Sequence, residues 1–189
     1  MARTESQPAR IGAPMPAFEL PDPTGELHSS ADLTGQNGTL VMFICNHCPY
    51  VRHVAPGLAE IAATLLASGV RTVAINPNDA TENPEDGPEG MTAAITENHY
   101  KFPYLIDTTQ NIARAFGAVC TPDFFLYDHD GNLYYRGQLD ESRPGNWLLV
   151  TGDHLLAAAA AMLDRQPPPA QQVPSLGCSI KWHASKDTP

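Results

Sequence analysis

Thr39-Leu-Val-Met-Phe-Ile-Cys-Asn-His-Cys-Pro-Tyr50 is the stretch on which the reading of the fold turns. Leu40 to Ile44 are apolar without alternation and the run follows Gly38, the pattern of a central strand buried on both faces. From Pro49 the period changes. Val51, Val54, Leu58, Ile61 and Leu65 recur at three- and four-residue steps, which predicts a helix that Pro56 should kink or delay and Gly69 should end. Cys45 and Cys48 therefore fall where a buried strand hands over to a helix.

Outward from this junction the same two periods alternate. Val70 to Ile75 is a second buried-strand candidate, and Asn76 to Gly90, rich in Pro, Asn, Asp, Glu and Gly, reads as a loop. Met91 to Tyr100 predicts a helix and Tyr104 to Ile106 a short strand. Thr109 to Phe116 predicts another helix, with Thr108 or Thr109 as N-cap and Gly117 as its stop. Phe124–Tyr127, the turn Asp128-His-Asp-Gly131 and Leu133–Arg136 form a hairpin signature. A last helix is expected over Thr151 to Leu163. The proline-rich tail from Gln166 is expected to run as an extended strap over the surface. There is no internal repeat. Strand–helix–strand units followed by a hairpin and a helix predict an α/β fold with a central mixed β-sheet flanked by helices. The expected division is one domain over residues 1–165, N-terminal extension included, and a packed tail over 166–189.

A length of 189 residues suits one well-cored domain. The formal net charge of −10 argues against nucleic acid and against an anionic membrane surface as partners. The first residues carry arginines without the apolar core of a signal peptide. The longest apolar candidate, Leu155 to Leu163, is about half a membrane span. The cytoplasm is the expected location. In that reducing setting four cysteines are not read as a disulfide framework, and a close pair is more often catalytic or metal-binding.

Cys45-Asn-His-Cys48 is such a pair. Two cysteines three apart at a helix start can close a small disulfide and reopen it, and the first-turn amides stabilise a thiolate there. A protonated His47 would add to that effect. Cys45, as the more exposed of the two, is expected to attack, and Cys48 to resolve. Two rival readings stay open: a pair of packed core cysteines, and zinc held by Cys45, Cys48 and His47 or His53, for which no fourth ligand pattern is evident. Haem attachment needs histidine after Cys48, where Pro49 stands.

Thr121-Pro122 opens the late β run. A strand ending in C-x-x-C with a distant Thr-Pro resembles the thioredoxin superfamily. The resemblance implies a thioredoxin-like fold, a cis Thr121–Pro122 bond, and a Thr121–Pro122 loop that faces the dithiol and binds substrate backbone. More closely, the chain is similar to a peroxiredoxin-like branch related to alkyl hydroperoxide reductase and thiol-specific antioxidant proteins. The matching segments are Cys45–Tyr50, Phe102–Asp107, Ala118–Phe125, Asp140–Gly145 and Gly177–Trp182.

The peroxidase motif of that group, however, is missing. With Cys48 as the reactive cysteine, Val41 replaces the motif's proline and Cys45 its hydroxyl residue; with Cys45, Gly38 and Met42 stand there. The group's arginine falls near Pro122. Thiol–disulfide exchange is therefore expected ahead of peroxide reduction through Cys48. A redox-sensing or binding module is the non-enzymatic alternative.

Cys120 and Cys178 are candidate accessory thiols, each also readable as a buried apolar residue. Thr39 occupies the position of the buried carboxylate of thioredoxins. Arg136, Arg143 and Asp140 read as surface or hairpin pairs, and His28, His99, His129 and His154 as surface residues. No cofactor or metal is expected. The expected partners are a protein or small molecule carrying a disulfide and a recycling reductant or oxidant; a homodimer is left open.

Overall fold

The computed structural model describes residues 3–81 and 83–183; residues 1–2 and 184–189, the outer ends of the two expected units, and position 82 lie outside it. In chain order the elements are β1 (Arg3–Glu5), β2 (Glu19–Pro21), β3 (Leu27–Ser29), α1 (Ser30–Leu33), β4 (Gly38–Phe43), α2 (Pro49–Ala67) and β5 (Val70–Asn76). A 3-10 turn (Pro84–Asp86) follows, then α3 (Pro88–Glu97), β6 (Tyr104–Ile106), α4 (Asn111–Phe116), β7 (Cys120–Thr121), β8 (Asp123–Tyr127), β9 (Leu133–Gly137), α5 (Asp153–Leu163) and β10 (Leu176–Ser179).

The main sheet has the order β6-β5-β4-β8-β9, with β4 parallel to β5 and antiparallel to β8. β4 is central, and its lack of alternation has the expected cause. Leu40, Met42 and Ile44 point into one apolar cluster with Leu58, Ile61 and Leu155 from α2 and α5. Val41 and Phe43 point into a second cluster with Phe18, Phe116, Phe125 and Ile180. Edge-on aromatic contacts tie the second layer, with the Phe43 and Phe116 centroids 5.3 Å apart. Both sheet faces are thus covered, which is the thioredoxin-like layering.

Local differences from expectation have local causes. Pro56 lies inside α2 without ending it; it is exposed, on the side where a carbonyl freed by the missing N–H can reach water. α4 starts at Asn111 without a side-chain cap from its N-cap residue Gln110, whose φ is 61°. Neither Thr108 nor Thr109 is its N-cap: Asp107 Oδ2 accepts from the Ala113 N–H at 2.8 Å, and Thr109 Oγ1 from that of Asn111 at 3.3 Å. No described helix is long and apolar enough to cross a membrane.

The tail does more than lie on the surface. β10 pairs antiparallel with β1 on one side and β7 on the other, forming a second sheet. That sheet brings both ends of the described chain to the Cys120–Pro122 segment.

Candidate active site

β4 ends at Phe43 and α2 begins at Pro49, with Cys48 as N-cap residue and proline at the first helical position, where its missing N–H costs nothing. The intervening turn holds both sulfurs against the segment before β8. Cys45 Sγ lies 3.1 Å from Thr121 Oγ1, and the Cys48 thiol donates to the Thr121 carbonyl at 3.2 Å. Thr121–Pro122 is cis. The two cysteines, Thr121 and Pro122 are therefore one constellation, and both cysteines carry free thiols.

Contrary to the sequence-based expectation, Cys45 is not the more exposed sulfur: both residues are 0% exposed. Nor is Cys45 the readier to ionise. The hydrogen bond from Cys45 holds the Cys48 thiol below the usual thiol range despite burial, helped by the Cys178 thiol and by the backbone N–H groups of Val51 and Cys178. Burial pushes Cys45 well above that range, with its bond to Cys48 and the charge of Asp86 adding to the rise and the Thr121 hydroxyl opposing it. The two titrations are coupled, and of the pair Cys48 is the sulfur whose surroundings favour the thiolate.

His47 is held by a carboxylate. Its Nδ1 bonds to Asp86 Oδ2 at 2.5 Å, and its Nε2 is buried with no partner among the described residues. Asp86, in the 3-10 turn, is 2% exposed. Its Oδ1 accepts from the N–H groups of Asn46 (2.7 Å) and His47 (3.2 Å), and its Oδ2 also accepts from Asn78 Nδ2 (3.0 Å). This carboxylate fixes the turn between the cysteines. Tyr104 supports the same turn, its hydroxyl donating to Asn46 Oδ1 at 3.2 Å. Cys45, His47 and Asp86 bring donor atoms within 4.8 Å of one another, a different set from the zinc ligands the sequence suggested. It is one ligand short of a closed tetrahedral site, and the Asp86 oxygens are already engaged. His53 lies apart, beside a small cavity that Pro122 also lines.

Cys178 packs with the pair in one apolar cluster, whereas Cys120 does not: among the described residues its sulfur hydrogen-bonds only the Pro122 carbonyl, at 3.9 Å, and burial pushes its thiol far up. Arg136 is no surface residue. It is 6% exposed, and its Nη2 donates to Asp123 Oδ2 at 2.8 Å and to the Gly117 carbonyl. Asp140 is not its partner; that buried carboxylate accepts from Ser142, Thr151 and Gly152 and organises the chain before α5. Arg143 donates to the Asp140 carbonyl rather than to its carboxylate. Of the remaining histidines, His99 and His129 are exposed, while His28 and His154 are half-buried against Asp22 and Gln138. Thr39, in the carboxylate position, accepts from the Gly35 N–H.

A groove of about 500 Å³ between α2 and α3 reaches Cys45; Asn46, Arg52, Glu85, Ala93 and Tyr100 are among its other lining residues. Asp86 and Asp123 were missed from sequence. A carboxylate at the head of an apolar β run, as in Pro122-Asp-Phe-Phe-Leu-Tyr127, was the available signal for Asp123; Asp86 sits in a loop rich in carboxylates and had none.

Residues 11–136 match the AhpC/TSA family. The chain is 27% identical over 132 residues to the thiol-disulfide oxidoreductase ResA of Geobacillus thermodenitrificans, covering 69% of this chain and 70% of that protein. A crystal structure of an uncharacterized conserved protein from Geobacillus kaustophilus is 46% identical, covers 98% of both chains and superposes with a TM-score of 0.94. A putative thiol:disulfide interchange protein DsbE from Chlorobium tepidum, 23% identical over 81% of this chain and 97% of its own, shares the fold with a TM-score of 0.63. The chain belongs to the AhpC/TSA family.

Proposed function

We propose that this AhpC/TSA family member is a thiol–disulfide oxidoreductase in which Cys45 meets the substrate and Cys48 acts first as base and then as resolving thiolate. The observation that carries the reading is the constellation: both sulfurs lie within hydrogen-bond reach of Thr121, beside the cis Thr121–Pro122 bond, and Cys45 lines a groove. A disulfide substrate enters between α2 and α3, and because Cys45 has no accessible surface, the groove must widen first. As the Cys45 sulfur attacks, its proton passes to Cys48, where the Thr121 carbonyl can hold it. The S–S bond of the substrate breaks, one thiolate leaves, and Cys48 returns the proton to it. The regenerated Cys48 thiolate then attacks the Cys45 sulfur, forming Cys45–Cys48 and releasing the second substrate thiolate. Two electrons have moved from the dithiol to the substrate, and the reverse sequence oxidises a dithiol.

Antioxidant chemistry through Cys48 is less well supported. Among the described residues no arginine or hydroxyl side chain hydrogen-bonds its sulfur, and Arg136 is committed to Asp123. Four thiols in so small a fold suit a reducing compartment, and the cytoplasm is the setting we propose. The substrate class is a disulfide-bearing protein or small molecule. Reduction of insulin disulfides by the purified protein tests the reading. Cys45→Ser should abolish turnover, and Cys48→Ser, which lacks both the base and the resolving thiolate, should react slowly and stop at a mixed disulfide on Cys45; full turnover by Cys45→Ser would refute it.

A further inference from the structure

The exchange just described leaves one neighbouring sulfur unused. β10 sets Cys178 opposite Thr121 in register, and Thr121 is the residue that touches both sulfurs of the pair. Cys178 is 4% exposed and shares an apolar cluster with Cys45 and Cys48, and it is among the groups that favour the Cys48 thiolate. Gly177 permits this approach, because a β-carbon there would collide with the Thr121 carbonyl.

Resting on the exchange reading above, we propose that Cys178 is the third redox thiol of the site and takes the disulfide over from Cys45. The Cys178 sulfur attacks Cys48 of the Cys45–Cys48 disulfide; the Cys48–Cys178 bond forms, the Cys45–Cys48 bond breaks, and the Cys178 proton ends on the departing Cys45 sulfur. No net electrons are gained or lost, so no further oxidant or reductant is required. The oxidising equivalent moves from the groove to the strand that closes the other side of the site, and Cys45 is again a thiol.

The electrostatics follow the same order of events. In the reduced site, burial, the hydrogen bond given to Cys48 and the negative charge there push Cys178 up to about 12. Once Cys48 is tied into a disulfide the last two causes vanish, while Lys181 continues to favour the Cys178 thiolate. The third thiol becomes more reactive when its target has formed.

The test uses the full-length reduced protein, oxidised with a small excess of diamide, quenched in acid, blocked with N-ethylmaleimide and digested without reductant. Disulfide-linked peptides are then assigned by fragmentation. Wild type should yield both Cys45–Cys48 and Cys48–Cys178, with the Cys48–Cys178 linkage lost in Cys178→Ser. In Cys45→Ser, Cys48–Cys178 should become the main product. Wild type that oxidises only to Cys45–Cys48, with Cys178 fully alkylated, overturns the inference and leaves the exchange reading standing. Wild type that forms no disulfide at Cys45 or Cys48 overturns both.

Discussion

Replacing Asp86 by asparagine should weaken the fold and acidify the dithiol together. The carboxylate is buried and accepts four hydrogen bonds, from two backbone amides, the His47 ring and Asn78. Bonds to a buried charge contribute about 1.5–3 kcal/mol each, and a mispaired buried donor costs about 1–3 kcal/mol. Asparagine keeps its oxygen for the two amides as a neutral acceptor, but its NH2 faces the Asn78 NH2. The expected loss, measured by urea unfolding, is about 2–4 kcal/mol. The second consequence runs the other way. Burial is the largest reason Cys45 resists ionisation, but the Asp86 charge adds to it, so Cys45 should ionise at lower pH in the variant. Thiolate ultraviolet absorbance against pH reads this directly. A residue that only stabilised the loop would move the unfolding curve and leave the titration alone. An unchanged or higher ionisation pH for Cys45, or unchanged stability, refutes the role assigned to Asp86.

Thr121→Val removes the hydroxyl beside Cys45, and the rate of disulfide exchange should fall about tenfold, the equivalent of one hydrogen bond of about 1.4 kcal/mol, as read from insulin turnover at fixed pH. Arg136→Met strands the buried Asp123 carboxylate and should cost about 3–5 kcal/mol in urea unfolding; a loss under 1 kcal/mol would mean that the ion pair is not holding β8 to β9. Burial raises Asp123 from 3.8 to about 6 against the pull of Arg136. The folded protein therefore holds more protons than the unfolded chain between those values, so this group's contribution is fully present below pH 3.8 and lost as pH rises through about 6. The stability difference between wild type and Asp123→Asn should shrink from pH 4 to pH 7, and a growing difference would contradict the burial of that carboxylate. Gly177→Ala should push β10 off Thr121, and Cys178 should then react faster with iodoacetamide than in wild type.

Much of the main sheet was legible because its signals are local. β4 reads as buried on both faces from five consecutive apolar residues, and α2 from its 3.6-residue period. Cys45, Cys48, Thr121 and Pro122 were found for a similar reason: each lies in a short motif at the end of an element. What escaped depends on distant partners. Asp86 is one carboxylate among several in a polar loop, and only the folded turn aims it at the amides of Asn46 and His47. That same turn ties the His47 ring to Asp86, a partner the motif itself does not contain. Arg136 looked like an exposed hairpin residue because its partner, Asp123, lies across the β8–β9 ladder. Cys178 was ambiguous because β10 needs β1 and β7, from far earlier in the chain, before its short run counts as a strand.

The closing of the site by β10 has a bearing on how the protein is made. Synthesis runs from the N-terminus at roughly 5–20 residues per second, so on the order of ten seconds separate the emergence of Cys48 from that of Cys178. Throughout that interval a nascent chain carries the reactive pair without the strand that seals it. Oxidants and thiophilic metal ions reach the pair more readily in newborn copies than in the finished protein, so slower translation through the last third of the message should leave fewer copies with intact thiols.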